Sequence, residues 1–435
     1  MIKTLFIVLS FTIHPPLQQP DTALTEAEAV AIALEKSFDI RLETYNMEIA
    51  KNNNTIGNAG YLPTVEATAS TGRTIQNTEL EFASGDSQAR DGAKSTSTNA
   101  GLSLNWTIFD GLKMFATKER LDQIERSNEY ILKSQVQNTV SDVLKAFYNA
   151  GLEQERLRLL KSNLELSEER VQISKDKYEI GKASKMEYLQ AQVDFNTDQS
   201  AYVKQREVIA VRLYELQQIM GLSETTDSLK LAFSYDLNMI LSRIQAEELA
   251  LSQNPNLRSM EMAREVSILA TKELERSRLP ELDFNMGYNY AKSEAEAGFV
   301  LQNQSTGINY GLSARMTLFD GLNQSRQIQN AQIQAEYAQT SFERSKTVLL
   351  TSVRSAFLTY QNAVELAQLE TQNLEVAEEN VAIALERYRV GKSNPLEIRE
   401  AQNNAVNAQI RHLEALNTAK IAEIELLRLT GEIVR

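Results

Sequence analysis

Short alternating stretches and very long helical stretches divide this chain. Along NAGLSLNWTIFD, Ala100, Leu102, Leu104, Trp106 and Ile108 fall on one face of an extended segment, with Gly101, Ser103, Asn105 and Thr107 on the other. Tyr310, Leu312, Ala314, Met316 and Leu318 oppose Gly311, Ser313, Arg315 and Thr317 in the same way. Leu282, Phe284, Met286, Tyr288 and Tyr290 likewise oppose Asp283, Asn285, Gly287 and Asn289. The pattern predicts four strands, at about 61–75, 99–110, 280–292 and 308–320. Strands about ten residues long, apolar on one face and small or polar on the other, suit a membrane barrel around a wet lumen. Four strands cannot close such a barrel, and an open edge in lipid leaves backbone groups unsatisfied. Several chains must therefore contribute to one barrel.

The helical stretches carry a different period. Val143, Ala150, Leu157, Leu164, Val171 and Tyr178 recur every seventh residue, as do Val353, Tyr360, Ala367, Leu374, Val381 and Tyr388. A sustained seven-residue period predicts left-handed coiled-coil packing. The companion positions are mixed: Phe147 is apolar, but Gln154, Lys161, Glu168 and Lys175 are not. One flank of the helix is thus expected to border water. Stretches of about 70 residues, 111–179 and 321–389, give roughly 100 Å of helix at 1.5 Å per residue. Shorter helical segments at 25–56 and 243–277 precede the two strand pairs.

These elements come twice. GLSLNWTIFDGL at 101 pairs with GLSARMTLFDGL at 311, and YEIGKASKMEYLQAQ at 178 with YRVGKSNPLEIREAQ at 388, both offset by 210. The leading strands correspond at an offset of 217, which predicts a strand-connecting loop seven residues longer in the first copy. The repeats span 21–221 and 243–435, joined by a linker at 222–242. Gly181 and Gly391 interrupt strong helix formers and predict the tips of two helical hairpins. Ser184 with Glu187 forms a capping-box sequence after the first tip. After the second, Asn394 is a cap, Pro395 suits the first helical position and Glu397 completes a similar pair.

Composition removes most chemistry. A net charge of −13 argues against a nucleic-acid partner. The chain has no cysteine, which removes thiol catalysis and thiolate metal sites, and its two histidines, His14 and His412, argue against a His-rich metal centre. No Gly-rich phosphate loop and no Gly-x-Ser-x-Gly turn is present. Neither an enzyme, a cofactor nor a metal site is expected. Residues 1–20, with Lys3 before an apolar run and Pro15-Pro16 after it, read as a signal peptide for export.

Taken in order, the doubled halves, the Phe-Asp-Gly strand ends at 109–111 and 319–321, and the Tyr-x-x-Gly tips at 178–181 and 388–391 resemble the TolC-like outer-membrane efflux proteins. The resemblance implies a mainly α fold with a membrane β-barrel. In that fold a homotrimer forms a twelve-stranded barrel, continued by a long α-helical coiled-coil tunnel. It places the chain in the outer membrane of a Gram-negative cell, with the tunnel in the periplasm. The implied function is the exit duct of a tripartite efflux or type I secretion system, working with a periplasmic adaptor (membrane fusion) protein and an inner-membrane pump. A periplasmic coiled-coil adaptor or scaffold is the rival reading, although an adaptor is expected to carry one hairpin rather than two. By the resemblance, Glu397 and Glu400 ring a periplasmic constriction, and Tyr388 with Glu187 forms a gate link. Gly181, Lys182, Gly391 and Lys392 are the tips that dock the adaptor. Where the family's second gate link joins an arginine to a threonine, this chain has Ser393 and Met186, which leaves Lys392 as the candidate substitute. The lipid-facing residues would be Leu102, Leu104, Trp106, Ile108, Leu312, Met316, Leu318, Phe284 and Met286.

Overall fold

The computed structural model describes residues 23–434, apart from 224, 226, 228, 238–241 and 299. The expected signal peptide lies outside the described residues. The element order is β1 (Leu24–Thr25), α1 (Glu26–Lys36), α2 (Phe38–Asn53), β2 (Thr64–Glu81), β3 (Ser87–Asp110), α3 (Lys113–Glu179) and α4 (Lys185–Ile219). It continues with β4 (Leu231–Ala232), α5 (Arg243–Gln253), α6 (Pro255–Arg276), β5 (Glu281–Ala295), β6 (Gln302–Arg315), α7 (Asn323–Arg389) and α8 (Pro395–Thr430). Among the described residues no helix is long and apolar enough to cross a membrane.

The chain forms two compact units, and they cut across the repeats. One gathers the stretch ending at Ser37, the segment from Thr139 into the linker, and Ala356–Leu426. The other gathers Phe38–Asn138, Leu241–Ser355 and Leu427–Arg435. Helices of 67 residues explain this, because α3 and α7 each contribute to both units. The shorter helical segments are each broken in two. Asn254 caps α6 through the Leu257 amide, with Pro255 in the first turn.

The second unit contains a four-stranded antiparallel sheet in the order β2-β3-β5-β6. Residues directly opposite in an antiparallel pair share a face, so the register tests the alternation. It aligns Val65, Leu104, Met286 and Tyr310 in one row, and Ala67, Leu102, Tyr288 and Ile308 in the next. Trp106, Phe284 and Leu312 form a third. The opposite face carries Thr64, Asn105, Asn285 and Gly311, then Glu66, Ser103, Gly287 and Asn309. Its polar groups pair along the sheet, Thr107 with Asp283 at 2.7 Å and Asn289 with Asn309 at 2.6 Å. A Cβ at Gly287 would stand 2.8 Å from the Asn309 amide oxygen, so the glycine makes room for the asparagine.

Three strand expectations change. The extra residues of the first copy lengthen β2 and β3 to 18 and 24 residues, against 15 and 14 for β5 and β6, instead of enlarging the loop. β6 ends at Arg315, so Met316 and Leu318 lie beyond the strand. Arg315 pairs with Glu281, where β5 begins, and the residues after it have no ladder partner among the described residues. A bulge between Thr107 and Phe109 shifts the alternation, so Phe109 rather than Ile108 stands opposite Leu282.

Both strand-to-helix junctions use the same turn. Gly111 and Leu112 have φ of 72° and 69°, and Gly321 and Leu322 have 72° and 67°. Leucine rarely takes this left-handed conformation, and its recurrence at equivalent positions marks a required turn.

The first unit holds its core where the linker crosses the helices. β4 pairs in parallel with β1, and Phe233 and Tyr235 pack edge-on or tilted against Phe147 and Tyr148. A Cβ at Gly151 would come within 2.8 Å of the Phe233 ring, so this helix glycine is the seat of the ring. Burial, and then the bond to Glu26, pushes the Tyr148 phenol far above its ordinary range. The linker residues 231–235 are thus a strap packed into the core.

Candidate functional site: the helical tips

The first unit also contains both hairpin tips, and each is built by the same capping device. Gly181 at φ 74° donates its amide to Tyr178 at 3.0 Å, while Lys182 donates to Lys177 at 2.7 Å. Gly391 at φ 76° donates to Tyr388 at 3.1 Å, and Lys392 to Arg387 at 2.8 Å. These paired bonds form a Schellman motif and satisfy the last carbonyls of α3 and α7. The next helices start on side-chain caps. Ser184 Oγ accepts the Glu187 amide at 3.2 Å and Asn394 Oδ1 accepts the Glu397 amide at 2.8 Å. The Glu397 carboxylate, read from sequence as half of a capping pair, accepts from Ser393 Oγ at 2.8 Å and faces Arg387 at 3.4 Å. Glu400 is exposed on the next turn, and Gly181, Lys182, Gly391 and Lys392 are all exposed.

Behind the tips the helices are held by a buried polar network. Arg170, with a side chain 3% exposed, donates to Asp194 at 2.9 Å and to Gln402 at 2.9 Å. Gln402 donates in turn to Asn163 at 2.6 Å and Ser167 at 3.1 Å. Ser167 also donates to Asp198, which accepts a two-pronged bond from Arg399 at 2.7 and 3.0 Å. Burial opposes the Arg399 charge, but the bond to Asp198 and the charges of Asp198 and Asp194 hold its guanidinium above the ordinary value. The network joins α3, α4 and α8. Every member has a partner, the condition under which buried charge is tolerated.

The seven-residue seam does not run through this region as the sequence suggests. Val143 and Ala150 are fully buried, but further along α3 the buried positions are Asn163, Ser167, Arg170 and Ser174. The inward stripe here lies one residue before the heptad positions, with Asn163 and Arg170 buried in place of Leu164 and Val171. The equivalent tyrosines part company: Tyr178 is 41% exposed and Tyr388 only 2%.

Tyr388, paired with Glu187 by the resemblance, is bound instead by α3. Its hydroxyl lies 2.9 Å from Ser174 Oγ, and Lys177 Nζ donates to its carbonyl oxygen at 2.8 Å. The same ammonium stands 3.8 Å from the Tyr388 ring centroid. Arg389, one residue on, bonds Glu169 at 2.6 Å. Burial pushes the Lys177 ammonium below its ordinary value, against the pull of the nearby Glu187 charge. Sequence reasoning passed over Lys177 and Ser174. The available signal was that Lys177 precedes the tip tyrosine exactly as Arg387 does in the other copy.

The same organisation is found in other proteins. The sequence model of the outer membrane efflux protein family matches residues 29–222 and 247–432. Alkaline protease secretion protein AprF of Pseudomonas aeruginosa is 24% identical over 309 residues. That alignment covers 70% of this chain and 63% of the relative, less than two thirds of its length. Protein CyaE of Bordetella pertussis is 21% identical over 433 residues, 98% of this chain and 88% of the relative. The outer membrane channel CmeC of Campylobacter jejuni has the same fold, with a TM-score of 0.79 at 16% identity over 99% of this chain and 93% of that one.

Proposed function

From the premise that the chain belongs to the outer membrane efflux protein family, we propose that it is the exit duct of a tripartite efflux or type I secretion system. The observation that carries this reading is the open sheet. Its four strands put apolar rows on one face and asparagines, serines and glycines on the other, and both β2 and β6 end it with unpaired edges. In a bilayer such edges must be closed by further copies, and the polar face then lines an aqueous bore. Three copies give the twelve-stranded barrel that the family resemblance implies, with lipid against Leu102, Leu104, Trp106, Phe284, Met286 and Leu312.

The duct is passive and its gate is at the helical tips. Glu397 and Glu400 would surround the periplasmic constriction as rings of carboxylates, which favour cations over anions. Gly181, Lys182, Gly391 and Lys392 present rigid, exposed turns to a periplasmic adaptor, and through it to an inner-membrane pump that supplies the energy. No nucleic acid takes part.

The decisive experiment separates inner and outer membranes, extracts the protein in detergent and measures its native mass. An outer-membrane species of three protomers is expected. A monomer that remains soluble without detergent would overturn the duct reading.

A further inference from the structure

The four-stranded sheet distributes its charges unevenly between its two faces. Followed toward the loops, the apolar face passes from the row of Ala67, Leu102, Tyr288 and Ile308 through Ala69, Ala100, Tyr290 and Thr306, then turns polar. The first charged residue met on that face is Arg73 on β2, Lys94 on β3 and Lys292 on β5; β6 has none, with Gln304 and Gln302 in those rows. All three are cations. At the same height the other face is uncharged, as in the row of Gly72, Ser97, Ser293 and Asn303. The cations stand at the end of the sheet closed by the β2–β3 and β5–β6 loops, away from the junctions with α3 and α7. Eight residues separate Phe284 from Lys292 on β5. That is about 27 Å at roughly 3.4 Å per residue, close to the roughly 25 Å apolar band of a membrane barrel. The charged heads are available. Lys94 is exposed and its ammonium has no partner among the described residues, while Arg73 gives its Nε–H to Thr96 Oγ1 at 3.3 Å. Lys292 pairs with Glu294, one row further out, at 2.5 Å.

We propose that Arg73, Lys94 and Lys292 form a belt on the outside of the barrel that binds the phosphorylated sugar headgroup of an outer-leaflet glycolipid. The inference rests on the reading of the sheet as part of a membrane barrel. In that barrel the apolar rows meet acyl chains and the loop end faces away from the periplasmic helices, so the cations stand at the outer headgroup level. Because the bore face is uncharged there, they address lipid and not cargo. Phosphate complements a guanidinium and an ammonium through charge-assisted hydrogen bonds. Spacing selects the headgroup. Lys292 lies opposite Thr98, four residues from Lys94 on the adjoining strand, which is about 14 Å along the strands. A single phosphate would have to draw both side chains inward, whereas a disaccharide with a phosphate at each end matches the spread. Glu294 tempers the charge of Lys292 and leaves Arg73 and Lys94 as the stronger pair.

The test is native mass spectrometry of the full-length channel, extracted and assembled in detergent. It is titrated with bisphosphorylated lipid A, with the same glycolipid stripped of its phosphates, and with phosphatidylglycerol. The parent is expected to bind the bisphosphorylated form at severalfold lower concentration than either of the others. The triple variant Arg73→Gln, Lys94→Gln, Lys292→Gln is expected to lose that preference. Should it not assemble, Lys94→Gln alone, which leaves no partner unpaired, is expected to lose part of it. Equal binding of the phosphorylated and stripped forms, or an unchanged preference in whichever variant assembles, overturns the belt. Phosphatidylglycerol bound as tightly as lipid A overturns the glycolipid assignment. The same spectra report assembly. An assembled channel indifferent to phosphate overturns this proposal alone, whereas a monomer that stays soluble without detergent overturns the barrel reading and the belt with it.

Discussion

At the residue scale, the two carboxylates assigned to the constriction differ in surroundings. Glu397 shares its charge with Arg387 and accepts a hydroxyl from Ser393, whereas Glu400 is exposed on the face one turn further on. A ring of three Glu397–Arg387 pairs is nearly neutral when seen from the bore. A ring of three free Glu400 carboxylates is not, and with little screening inside a narrow passage it attracts cations. Glu400→Gln is therefore expected to lower the cation-to-anion permeability ratio more than Glu397→Gln does. Reversal potentials in a KCl gradient would measure both. Equal losses would mean that Arg387 does not shield Glu397 in the assembled channel, and no loss in either would remove the ring.

At the scale of the element, the linker strap makes the sharpest demand on a single position. Gly151 lies inside α3, where replacing glycine by alanine ordinarily gains up to about 1 kcal/mol of helix stability. Here the added methyl would meet three atoms of the Phe233 ring between 2.8 and 2.9 Å, in a core closed by Tyr148, Phe147 and Tyr235. Overpacking of this kind costs on the order of 1–3 kcal/mol, so Gly151→Ala should lower the thermal midpoint followed by circular dichroism. A raised midpoint would show that the strap is loosely held. The strap was hidden in the sequence for a physical reason. Leu231, Phe233 and Tyr235 alternate with the exposed Ala232 and Ser234, but the run is only five residues long, and the packing of its rings depends on Phe147 and Tyr148, which lie more than eighty positions earlier. By contrast, the tips were legible because a Schellman turn needs only a local glycine, and the strands because alternation is local too. The break before α6 was also written locally, in Asn254-Pro255, within a stretch read as continuous helix. The polar network was not: Arg170, Asp194, Arg399 and Gln402 look like solvent-facing polar residues, and only the packing of α3, α4 and α8 brings them together.

At the scale of the whole molecule, each compact unit leaves unlike surfaces unpaired, and this decides the symmetry of assembly. In the sheet the free edges are β2 and β6, two different strands. In the unit that holds the tips, hydrogen bonds join α4 to α3, α3 to α8, and α8 to α7. The exposed apolar side chains there gather on α4, at Met186, Leu189, Val193 and Val203, and on α7, at Leu369, Val376 and Ile383, with Val390 just past its end. These last four recur every seventh residue, the spacing of a coiled-coil seam, and all are exposed among the described residues. An edge that must meet an unlike edge gives a heterologous contact, which forms a ring where the rotation between copies closes; an isologous two-fold contact would pair one surface with itself and leave the other open. The seam on α7 is therefore expected to pack against α4 of the next copy while β6 pairs with the next β2. Placing carboxylates in the middle of that seam, Val376→Glu together with Ile383→Glu, should remove the assembled species from native mass measurements in detergent. Neither side chain is buried within the protomer, so the helical circular dichroism of the monomer should survive. If the double variant assembles at the parent mass, α7 does not form the contact between copies, and the ring must be held by the strand edges alone.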